Sequence, residues 1–150
     1  QDLYELDQSF LRFKDSIFSN LMKDVDKDIL HILEYESVFA LPQTIVLKAC
    51  LFSNPIESAE QLAIAMEIVE DIFTFEHGAP PEAHQLLPLL SNLFVKSPVP
   101  TPLSFAKWLR FFYAPMMERP PDWIENSVFV PLQHYFQFTE WIEEEALMEK

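Results

Sequence analysis

The sequence predicts an all-α fold: an irregular bundle of about seven helices joined by proline-marked turns. Three observations predict it. Apolar residues recur at spacings of three and four, as in Leu3, Leu6, Phe10, Phe13, Ile17 and Leu21, and strict alternation is rare. The 12 prolines fall mainly between periodic segments, as punctuation. Glycine occurs once in 150 residues, at Gly78, against an average usage of about 7%. A Walker loop, a dinucleotide-binding fingerprint and a nucleophile elbow each need glycine where the backbone turns sharply or approaches a ligand, so all three are excluded.

The first helix carries a second stripe, Tyr4, Leu11 and Phe18, beside the first. A face that wide predicts packing against two neighbours. Asp24 or Asp26 is placed to cap a second helix running through Ile29, Ile32, Leu33 and Phe39. Leu41-Pro42 reads as a break and restart, giving a third helix to about Ser53. After Asn54-Pro55, Ser58 and Gln61 have capping-box spacing and open a long fourth helix through Leu62, Met66, Val69 and Phe73. Gly78 closes it in a left-handed cap. Leu86 to Val95 is expected to form a compact buried helix starting near Pro88. Ser97 to Pro102 is an extended linker, because each residue before proline is pushed from the helical region. Thr101 and Pro102 then supply cap and first turn for a sixth helix, and Asp122 caps a last stretch interrupted at Pro131. The helix lengths also fit a solenoid fragment, although no residue pattern recurs at a fixed period.

One domain, residues 1–150, is the expected organisation. A first residue of Gln1 rather than methionine reads as a domain excised from a longer chain. Cys50 is the single cysteine and sits in an apolar run, so it reads as a small hydrophobe in a reducing, intracellular setting. The net charge of −14 disfavours direct binding to nucleic acid or to an anionic membrane. No lysine or arginine occurs between Ala49 and Val95. Lys96, Lys107, Arg110 and Arg119 then form a short positive island.

Catalytic signals are thin. Asp24-Val-Asp26-Lys-Asp28 resembles the opening of a calcium loop, but Ile29 and Tyr35 stand where that loop needs glycine and glutamate. Asp28-x-x-His31 and Glu67-x-x-Glu70 place pairs of metal-ligand types on helix faces, short of the full carboxylate–histidine pattern of a di-iron bundle. They support an alternative, a metal- or ligand-dependent helical enzyme. A further alternative is the acidic stretch from Ala49 to Val95 binding a basic protein or mimicking nucleic acid.

The aromatics are more informative. On the sixth helix Phe105, Trp108, Leu109 and Phe112 form one face, and Phe111 flanks it beside Lys107 and Arg110. On the last helix Leu132, Tyr135, Phe136, Thr139, Ile142 and Ala146 form the core face. His134, Phe138 and Trp141, at i, i+4 and i+7, form a stripe on the far side. A terminal helix has few neighbours to cover a second apolar face. The sequence therefore predicts a non-catalytic protein–protein interaction module, an adaptor or scaffold domain without a cofactor, that takes a partner helix or peptide. Phe138 and Trp141 are the first candidate anchors, and His134, Phe111, Lys107 and Arg110 the second.

Overall fold

A computed structural model describes residues 2–148, leaving aside the side chain of Glu36. Seven α-helices and no strand occur among the described residues. Helix α1 (Leu3–Leu21) begins where the Asp2 carboxylate accepts from the Tyr4 N–H at 2.9 Å. It buries Leu6, Phe10 and Ile17 and packs against α5, α6 and α7, one neighbour more than its two stripes predict.

Helix α2 (Lys27–Leu33) is capped by Asp26, which accepts from the Ile29 N–H at 3.0 Å. It stops well before Phe39. Tyr35 leaves helical geometry at φ −87°, ψ 65°, and a 3-10 turn, Glu36–Phe39, leads directly into α3 (Ala40–Ala49). That bend lets Ile29, Ile32 and Phe39 all reach the core. The expected break at Leu41-Pro42 is absent, because Pro42 lies in the first turn of α3, where its missing N–H has no helical partner to lose.

Helix α4 (Pro55–His77) starts at Asn54, whose side chain accepts from the Ile56 N–H at 2.8 Å, with Pro55 in the first position. Ser58 is not its cap. Its hydroxyl is buried and donates to the Ala49 carbonyl at 2.8 Å, fastening α4 to the end of α3. Gly78 ends α4 at φ 88°, as expected. Helix α5 (Ala83–Lys96) begins five residues before Pro88. Gln85 holds that start: its Oε1 accepts from the Glu82 N–H at 3.0 Å, and its Nε2 donates to Asp26 at 3.2 Å.

Helix α7 (Asn126–Met148) likewise runs through Pro131 without interruption, and Asp122 lies outside it. In both helices proline removes the bond to a carbonyl four residues earlier, of His84 or of Ser127, and both residues are exposed to water that can take its place.

The start of α6 (Pro102–Tyr113) is the least expected feature. Thr101 makes no side-chain bond to it. The fully buried carboxylate of Asp7, on α1, accepts from the N–H groups of Leu103 at 2.7 Å and Ser104 at 3.2 Å, and from the Ser104 hydroxyl. Two residues on, the Ser9 hydroxyl donates to the Ala146 carbonyl of α7 at 3.0 Å. One apolar core runs through all seven helices. Contact between the first and last helices closes the bundle, whereas a solenoid's repeats touch only their neighbours. Among the described residues no helix is long and apolar enough to cross a membrane.

Three variants test these caps. Asp7→Ala leaves two helix N–H groups buried without an acceptor and lowers unfolding free energy in urea by about 2–4 kcal/mol, since each charge-assisted bond contributes roughly 1.5–3. Thr101→Ala changes it by less than about 0.5 kcal/mol, as for an ordinary surface site. Asp26 titrates below its usual 3.8, chiefly through the Ile29 N–H, with burial opposing and Gln85 and His84 assisting. A depressed carboxylate contributes stability above its unfolded pKa and loses it as pH falls through the folded value. Asp26→Asn therefore lowers the melting temperature at pH 6, and the gap to wild type closes as melts are repeated down to pH 3.

Candidate functional site

Starting α5 at Ala83 places Ala83, Leu86, Leu87 and Leu90 along one side of that helix. They face α7 across a groove of about 310 Å³, whose other wall is His134, Gln137, Phe138 and Trp141. The far-side stripe of α7 thus lines a concavity instead of standing proud as a free aromatic face. Phe138 is its floor. At 3% exposure it belongs to the core, its ring centroid 5.3 Å from Phe94 and 6.3 Å from Trp141. The expectation of Phe138 as an exposed anchor is corrected accordingly: Phe94 of α5, itself 4.9 Å from Tyr135, reaches under the stripe and covers it. Trp141 and His134 are half-buried, and Leu87 is 42% exposed on the opposite lip. Burial holds the His134 imidazole below its ordinary 6.5, so the ring is neutral at neutral pH and adds no charge to the groove.

The positive island lies elsewhere. Lys107 pairs with Glu143 at 2.7 Å. Arg110 donates to the Phe136 carbonyl at 3.1 Å and to the Thr139 hydroxyl at 3.2 Å, lies over the Phe136 ring at 5.5 Å, and reaches Glu140 at 3.6 Å. Its partners belong to the core-facing side of α7, away from the groove. Lys107 and Arg110 are therefore fasteners between α6 and α7. Phe111 is 87% exposed on α6 and takes no part in the groove. Of the six residues the sequence singles out, the structure brings together His134, Phe138 and Trp141.

Helix α7 carries four acids and no base among its described residues. Glu140 and Glu143 are matched by Arg110 and Lys107. Glu144 and Glu145 find no cation among the described residues. Standing three and four positions after Trp141, they lie on the next turn of α7, beyond the groove's lining.

The residues of the alternative metal reading are not assembled. Asp28 lies 3.7 Å from His77, and His31 sets its ring edge against Tyr35. Glu70 is raised above its usual range by burial and then by the charges of Asp71 and Glu67. No group of three or more His, Cys, Asp or Glu side chains is arranged to hold a metal ion among the described residues. Burial pushes the Cys50 thiol up to about 12, leaving almost no thiolate at neutral pH.

The α5 side of the groove was missed by sequence reasoning. A helix read from Leu86 to Val95 with its start near Pro88 leaves out the turn from Ala83, so the face formed by Ala83, Leu86, Leu87 and Leu90 does not stand out. No protein-family profile matches the chain, and neither the curated proteins nor the solved structures contain a significant match.

Floor and wall separate by mutation. Phe138→Ala costs about 3–5 kcal/mol in urea unfolding, as for a buried ring. Trp141→Ala costs about 1–2 kcal/mol, because half of its surface is already in water.

Proposed function

We propose that this domain is a non-catalytic interaction module that holds an amphipathic helix of a partner protein in the α5–α7 groove. The observation that carries the reading is an apolar trough floored by Phe138 and walled by Trp141 and Leu87, with Glu144 and Glu145 on the next turn of α7. A trough of about 310 Å³ lies at the bottom of the ~300–1,000 Å³ range of small-molecule pockets. Two or three side chains of an inserted helix suit it better than a whole ligand.

The occupant's chemistry follows from the walls. Apolar residues at i, i+3 or i+4, and i+7 enter between Leu87 and Trp141, and a lysine or arginine at one end meets Glu144 and Glu145. Gln137 and neutral His134 offer hydrogen bonds at the rim without opposing either contact. Affinity rests on the buried aromatic and leucine contacts, and orientation on the acidic turn.

Displayed libraries of helical peptides, panned on the chain, test this. Enriched sequences should share the apolar spacing with a basic residue at one end. Their binding should fall at least tenfold with Trp141→Ala or Leu87→Asp and persist at about 0.5 M salt, where exposed charge pairs are screened. Peptides that bind both variants as tightly as wild type, or that bind only at low salt, overturn the groove as the site.

A further inference from the structure

A second concavity, independent of that groove, lies among α1, α2, α3 and α5 and encloses about 730 Å³. Its floor is apolar, formed by Phe18, Met22 and Leu33. Asn92 of α5 lines it. That side chain is only 7% exposed and bonds no other side chain or backbone group among the described residues, so its amide, which still reaches solvent, is available to a ligand in the concavity. One turn later on the same side of α5, Lys96 has no carboxylate in pairing distance among the described residues. Its ammonium sits 5.3 Å from the centre of the Phe18 ring, at the edge of the apolar floor. In a chain of net charge −14, a cation set over an aromatic ring beside an unmatched amide makes a locally anion-seeking corner.

We propose that this concavity binds the anion of a single-chain fatty carboxylic acid. The carboxylate accepts from the Asn92 Nδ2 amide and pairs with the Lys96 ammonium, and the hydrocarbon lies over Phe18, Met22 and Leu33. Glu34 is the one acid in the lining and stands just past the end of α2. It repels a carboxylate and so directs the head group toward α5. A concavity of about 730 Å³ is well inside the ~300–1,000 Å³ range that encloses most of a small ligand's surface. A peptide helix matches this corner less well, since its backbone amides are already bonded to one another and leave little for Asn92 to meet.

Dodecanoate, kept below its micelle concentration and titrated into the full chain at pH 7.5 by calorimetry, tests the proposal. Saturable binding at one site is expected. Dodecyltrimethylammonium and dodecanol, with the same tail, should bind at least tenfold more weakly. Asn92→Leu should weaken dodecanoate at least tenfold, by removing the donor to the carboxylate. Lys96→Gln should weaken it severalfold with unchanged melting, and Glu34→Gln should tighten it. Trp141→Ala should leave it unaltered, which keeps this test separate from the α5–α7 reading. Absence of saturation, equal binding of the three head groups, or an Asn92→Leu chain that binds dodecanoate as tightly as wild type would each overturn the assignment. So would a panned helical peptide that displaces dodecanoate and is itself lost with Asn92→Leu.

Discussion

The bundle depends on a buried carboxylate. Asp7 sits in the middle of an apolar helix face with no exposure to water, a position that is costly for a charge unless hydrogen bonds surround it. The first turn of α6 supplies them, from two backbone N–H groups and one hydroxyl. Each side solves the other's problem: the helix end has donors without acceptors, and the carboxylate is an acceptor without water. The contact joins residues 96 positions apart. It fixes where α6 begins, and through Lys107 and Arg110 the placement of α6 fixes the face that α7 turns inward.

That inward face gives Lys107 and Arg110 of the positive island their partners. Four acids follow one another closely in the second half of α7, and two of them need cations to lie against a neighbouring helix. Lys107 and Arg110 meet that need. Arg110 also bonds a carbonyl and a hydroxyl of α7, so its loss removes packing and hydrogen bonds together. The remaining pair, Glu144 and Glu145, is left to solvent on the turn beyond the groove. One short segment thus divides its charges between holding the fold and shaping a surface.

Much of this was legible in the sequence, and what was not has identifiable causes. The helical class, the α4 terminus at Gly78 and the core face of α7 follow from periodicity and from one glycine, signals that are local. The caps of α2 and α4 are local too, although at α4 Ser58 imitated a capping residue while Asn54 held the place. Asp7 was invisible as a cap because its partners are far along the chain and it reads as a polar interruption of an apolar stripe. Pro88 and Pro131 misled because proline in a second turn is tolerated when the carbonyl it orphans faces water, a condition that sequence does not display. Phe138 and Trp141 share a stripe, yet one is floor and the other wall. Only the reach of Phe94 from α5 separates them.

The bond from Ser9 to Ala146 joins the second turn of α1 to the last turn of α7, so these helices run antiparallel and the chain enters and leaves at one end of the bundle. Tension applied to the two ends then loads the α1–α7 seam one contact at a time, an unzipping geometry, instead of shearing many contacts at once. Ser9–Ala146 parts early and the Asp7 cap comes close behind it. Heat or denaturant, by contrast, must disrupt the core shared by all seven helices.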